Sequence, residues 1–130
     1  MESVIGLGKG DGQILAAGAD LGAAAAYEDL RAMWGAADGL ASLLERLAVL
    51  VDRIRAYPAT AEVAASYDVS LPMMLEGTKR IRDAIDAGDA AGIASGSQVL
   101  SKGLAAYSET RRLLGPLVDQ AILMQKLLVQ

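Results

Sequence analysis

Six residues spaced seven apart, Ile93, Leu100, Tyr107, Leu114, Ala121 and Leu128, form one apolar seam along the last third of the chain. A seven-residue repeat is close to two turns of α-helix and foreign to the alternation of a strand, so the seam demands a long packed helix. Gly115-Pro116 falls within it. Because the spacing passes through Pro116 without a slip, a Pro-kinked helix is expected there and not a termination.

A second stripe confirms the helical class. Met33, Leu40, Leu47 and Ile54 share one heptad position; Ala36, Leu43, Leu50 and Tyr57 share the position three residues on, and Leu44 and Val51 widen the face. Glu45, Arg46, Asp52 and Arg53 fall outside it. Helical signal runs from Asp20, read as an N-cap, to the residue before Pro58, with Gly35 and Gly39 as the places for a break or bend. Between the two long helices, Ser70 is expected to cap a shorter one with Pro72 in its first turn, its buried face marked by Leu71, Met74, Thr78, Ile81 and Ile85. Asp86-Ala87-Gly88-Asp89 then reads as a tight turn, Gly88 taking the left-handed C-terminal position and Asp89 capping the next helix.

At about 1.5 Å per residue, helices over residues 89–129 and 20–57 would each approach 60 Å. One shorter helix cannot cover the seam of such a pair. Either the N-terminal segment folds back as a fourth helix or a second chain completes the core, and both outcomes give an all-α, antiparallel four-helix-type bundle. Residues 1–12 are expected to be a flexible Gly-rich arm, since Gly6, Gly8, Gly10 and Gly12 would each cost about 1 kcal/mol in a helix, with residues 13–130 as a single helical-bundle domain.

Composition removes many chemistries. The 130 residues include no Cys and no His. That excludes disulfides, thiolate nucleophiles, Ser-His-Asp triads, zinc-hydrolase motifs and the Glu-x-x-His pattern of di-iron bundles. The net charge of −4 opposes a nucleic-acid partner. The longest charge-free stretch, Ala90 to Ser101, is too short for the ~20 residues of a membrane span, and the opening MESVIGLGKGDG lacks the basic and apolar regions of a signal peptide. The chain is therefore expected in the cytoplasm, or exported with its signal already removed.

The remaining motifs have ordinary readings. The glycine arm resembles a phosphate loop only superficially, because Lys9 is followed by Gly10 where a Walker loop needs Ser or Thr. Asp83, Asp86 and Asp89 lack the pattern of a calcium loop, and Glu76, Lys79, Arg80 and Asp83 suit intrahelical pairing on a solvated face. No catalytic, metal or cofactor site is assigned.

Along the seam, Gly96 follows Ile93 and Gly103 follows Leu100 at three residues, and Thr110 follows Tyr107, whereas Leu117 and Met124 fill the equivalent later sites. The first half of this helix therefore admits close approach of another backbone or leaves a groove. Trp34, Gly96, Leu100, Gly103, Tyr107 and Arg111 are the candidate interface or ligand-groove residues. Tyr107 must find a partner for its hydroxyl if buried, and Arg111, beside the seam, is expected to pair with a carboxylate on a facing helix, with Asp29 the candidate. These features point to a non-enzymatic interaction or scaffold module that self-associates or is completed by a partner helix. The alternative is a small-molecule or lipid-binding bundle, with an apolar ligand near Gly96, Gly103 and Tyr107.

Overall fold

The computed structural model describes residues 2–129, and these form four α-helices: α1 (Glu2–Ala26), α2 (Leu30–Ile54), α3 (Ala61–Ala87) and α4 (Ala90–Val129), with a 3-10 turn at Pro58–Thr60. Each helix packs on the next in sequence, and α1 closes the ring against α4. The result is an antiparallel all-α bundle whose core runs continuously through all four helices. The N-terminal segment, and not a second chain, supplies the fourth helix.

The expected flexible arm over residues 1–12 is corrected by α1, which is helical from Glu2. Its glycines face neighbours that a side chain would obstruct: a Cβ at Gly6 would come within 2.9 Å of Leu50, one at Gly8 within 2.9 Å of Val118, and one at Gly10 would collide with Leu47. Close helix packing thus offsets the propensity cost that argued for an arm. The spacing Val4, Leu7, Asp11, Ile14, Gly18, Leu21 is an unbroken alternation of three and four, and its four apolar side chains are buried.

Asp20 lies inside α1 and caps nothing. The break that separates α1 from α2 comes at Tyr27–Asp29, not at Gly35 or Gly39; Glu28 adopts a positive φ of 53°, and Asp29 accepts the Ala32 amide at 3.1 Å as the N-cap of α2. The expected face of α2 is buried from Met33 to Ile54 except at Ala36 and Leu50, which are partly buried, while Tyr57, past the helix end, is exposed.

Ser70 is likewise corrected. It sits in the interior of α3, which starts nine residues earlier at Ala61, and Pro72 is an interior residue on the exposed side. The turn at residues 87–89 forms as expected. Gly88 has φ 66° and its amide reaches the Ile85 carbonyl, while Asp89 accepts the Gly92 amide at 3.0 Å. Helix α4 is continuous through Gly115-Pro116. Its 40 residues, against 25 in α1, 25 in α2 and 27 in α3, make it about 20 Å longer than its neighbours.

Candidate interaction surface

Along its first half α4 meets α3 almost backbone to backbone. A Cβ at Gly103 would lie 2.7 Å from the Met74 amide nitrogen, one at Gly96 2.9 Å from that of Ile81, and, from the other side, one at Gly77 2.5 Å from that of Leu100. The close-approach reading of Gly96 and Gly103 therefore holds. The space that would have made a groove is filled by α3.

Further along, the contact becomes polar. Thr110, fully buried, lies 2.6 Å from the Ser66 hydroxyl and 3.1 Å from that of Ser70. One turn away Tyr107 is 1 % exposed, its ring 6.0 Å from that of buried Tyr67. The Tyr107 hydroxyl donates to Asp11 Oδ1 on α1 at 2.8 Å, and Arg111 Nε donates to the same oxygen at 2.8 Å. Arg111 thus pairs with a carboxylate on a facing helix, but with Asp11 and not Asp29, which is occupied as the α2 cap.

Burial pushes the Tyr107 hydroxyl well above the usual tyrosine range, and the neighbouring Tyr67 and Asp11 push it further in the same direction. Tyr67 is raised for the same first reason, burial. Among the described residues its hydroxyl has no hydrogen-bond partner. Two neutral tyrosines beside one carboxylate form a polar layer between α1, α3 and α4. Among the described residues there is no group of three or more acidic residues placed to hold a metal ion.

The six predicted residues do not converge. Leu100, Gly96, Gly103, Tyr107 and Arg111 share α4, but Trp34 lies on α2, across the diagonal of the ring, half-buried, its indole N–H without a partner among the described residues. Leu100 alone borders an apolar cleft, about 190 Å³ in volume, between α1 and α4, with Leu21, Met33, Ile81 and Leu104 among its lining. Elsewhere the expected ion pairs form on the α3 surface, Glu76 with Arg80 and Lys79 with Asp83, both at 2.8 Å, and Arg82 reaches Asp38 on α2 at 3.0 Å.

The seam itself ends early. Ile93 is partly buried, Leu100 to Ala121 are buried, and Leu128 is 77 % exposed. The neighbours run out: Gly8 of α1 already stands beside Val118, and α3 begins only at Ala61, although Ser66 is level with Thr110. Every side chain from Ile122 to Val129 is consequently exposed, six of the eight being Ile122, Leu123, Met124, Leu127, Leu128 and Val129. The other large exposed apolar residues, such as Leu15, Val49 and Val69, are scattered one or two to an element and are unremarkable. A contiguous apolar helix end is different.

Sequence reasoning missed Asp11, which fell in the supposed arm, and the exposed end of α4, which was counted as core. The first carried a signal: a charged residue on the three-four alternation of α1. The second required knowing where α1 and α3 begin. No protein-family model, no curated protein and no solved structure significantly matches this chain. No described helix is long and apolar enough to cross a membrane.

Proposed function

We propose that the chain is a non-enzymatic helical-bundle interaction module that self-associates through the end of α4. The observation that carries this reading is the run of exposed apolar side chains from Ile122 to Val129 beyond a bundle whose own core is closed by four helices. A closed core needs no second chain for stability, so the surplus apolar surface is what a partner would cover. Its composition also fits: large aliphatic side chains and Met, with few charges, characterise the buried centre of an interface.

Light scattering of the full chain across a range of concentrations tests it. Mass rising towards a dimer or higher oligomer, and held at the monomer by Leu123→Glu with Leu127→Glu, is the expected result. A monomer at every concentration would overturn self-association.

The second reading, a carrier or sensor of an apolar small molecule, rests on the cleft beside Leu100. At about 190 Å³ it falls below the roughly 300 Å³ at which drug-sized sites begin, which ranks it second. Gly18 borders it with nothing within 4 Å of an added Cβ. If the cleft takes a ligand, Gly18→Leu will abolish uptake of an apolar dye while the bundle stays folded.

A further inference from the structure

The end of α4 reads alike in both directions. About the midpoint between Ile122 and Leu123, Asp119 matches Lys126 and Gln120 matches Gln125, while the other four pairs are apolar on both sides; of these, Ile122 with Leu123 is exposed in both members, since Leu117, Val118 and Ala121 pack on their own bundle. The one acid of the segment falls on its one base. A helix that pairs with its own copy about a two-fold axis brings each residue level with its match on the other strand, so this order is self-complementary for an antiparallel pair. A parallel pair would instead set Asp119 on Asp119 and Lys126 on Lys126, which is repulsive.

The matched charges also share a face. At about 100° per residue, Asp119, Leu123, Lys126 and Leu127 fall within an arc of about 100° on the side away from buried Leu114 and Ala121. All four are exposed. Asp119 and Lys126 lie on the same side of Leu123, and the two-fold keeps them on one side of the joint seam, so both cross-strand charge pairs can form at once. Each bundle body lies behind its own α4, on the side of Leu114 and Ala121, so the two bodies stand on opposite sides of the joint seam and out of each other's way.

We propose that the end of α4 pairs antiparallel with the same segment of a second copy, in the register that sets Asp119 against the partner's Lys126. This rests on the self-association reading above and adds its direction and register. A paired segment of twelve residues, about 18 Å long, makes a small interface, so the dimer is weak and reversible and tightens at low salt.

Sedimentation equilibrium of the full chain at low salt provides the test. Asp119→Lys and Lys126→Asp each turn two attractive contacts into repulsive ones, and each should raise the dimer Kd about tenfold. The double variant Asp119→Lys with Lys126→Asp should return it to the wild-type value, and an equimolar mixture of the two single variants should associate more tightly than either alone. Unchanged thermal melts verify folding; should a reversal perturb the bundle, Asp119→Gln and Lys126→Gln provide milder neutralisations expected to weaken the dimer about threefold. A wild type that dimerises while every charge variant dimerises equally well overturns the antiparallel register and leaves self-association standing. A wild type that remains monomeric overturns both.

Discussion

Between Gly92 and Leu114, α4 lies so close to α3 that at Gly96 and Gly103 a single added carbon would strike backbone; from Ile122 to Val129 the same helix exposes every side chain. Apolar content does not separate the two stretches. The close-packed one buries Gly96, Gly103 and Thr110 alongside Leu100, Tyr107 and Leu114, and the exposed one holds leucines, an isoleucine, a methionine and a valine. Burial along this helix is therefore set by where the neighbouring helices stop, and small residues are inside because they let two backbones meet.

The contrast can be broken most forcefully at Gly77. Gly77→Val would push a branched side chain into the Leu100 backbone, and a loss of about 3 kcal/mol is expected in chemical denaturation, whereas Gly115→Ala, with open space around it, should be neutral or raise stability by up to about 1 kcal/mol. Equal effects at the two sites would mean that the α3–α4 contact is looser than described.

A smaller loss, of about 1 kcal/mol, is expected from Tyr107→Phe, because Asp11 keeps Arg111 as a partner when the hydroxyl is removed. The same layer predicts a pH dependence. Tyr67 and Tyr107 hold their protons more tightly in the folded state than unfolded tyrosines, which release theirs near pH ~10. The stabilisation is thus complete below that pH and declines as pH rises above it. Thermal melts from pH 8 to 11 should show the decline, and Phe at both positions should flatten it.

At the exposed end, Leu123→Glu should leave monomer stability within about 0.5 kcal/mol of wild type while weakening association. The smallest effect is expected at Arg55, which binds Asp68 and Asp52 on the solvated surface and holds the Asp68 carboxyl below its usual range. Arg55→Ala should move the melting temperature by no more than the error of the experiment at neutral pH.

The fold class, the α2 face, the buried face of α3, the turn at Gly88-Asp89 and the close-packing glycines were legible because each rests on local periodicity or on a residue with one conformational use. Helix α1 was hidden by its glycines, whose low propensity is outweighed by contacts with Leu47, Leu50 and Val118 that lie far away in sequence. Ser70 has the residue type of an N-cap and serves instead as a buried partner of Thr110, forty residues on. For Arg111 the kind of partner was readable and its identity was not, since Asp11 is reached only once α1 is known to be a helix. The end of α4 shows the limit of pattern reading: Leu128 continues the seam in sequence after the bundle has ended in space.

The division of α4 is most directly tested by amide hydrogen exchange of the full chain at a low and a high protein concentration. Amides from Gly96 to Leu114 should be equally protected in both, and those from Ile122 to Val129 should exchange rapidly when dilute and slow markedly when concentrated. Exchange at the end of α4 that is the same at both concentrations, or a concentration dependence confined to the Gly96–Leu114 stretch, would contradict the assignment of closure to one half of the helix and association to the other.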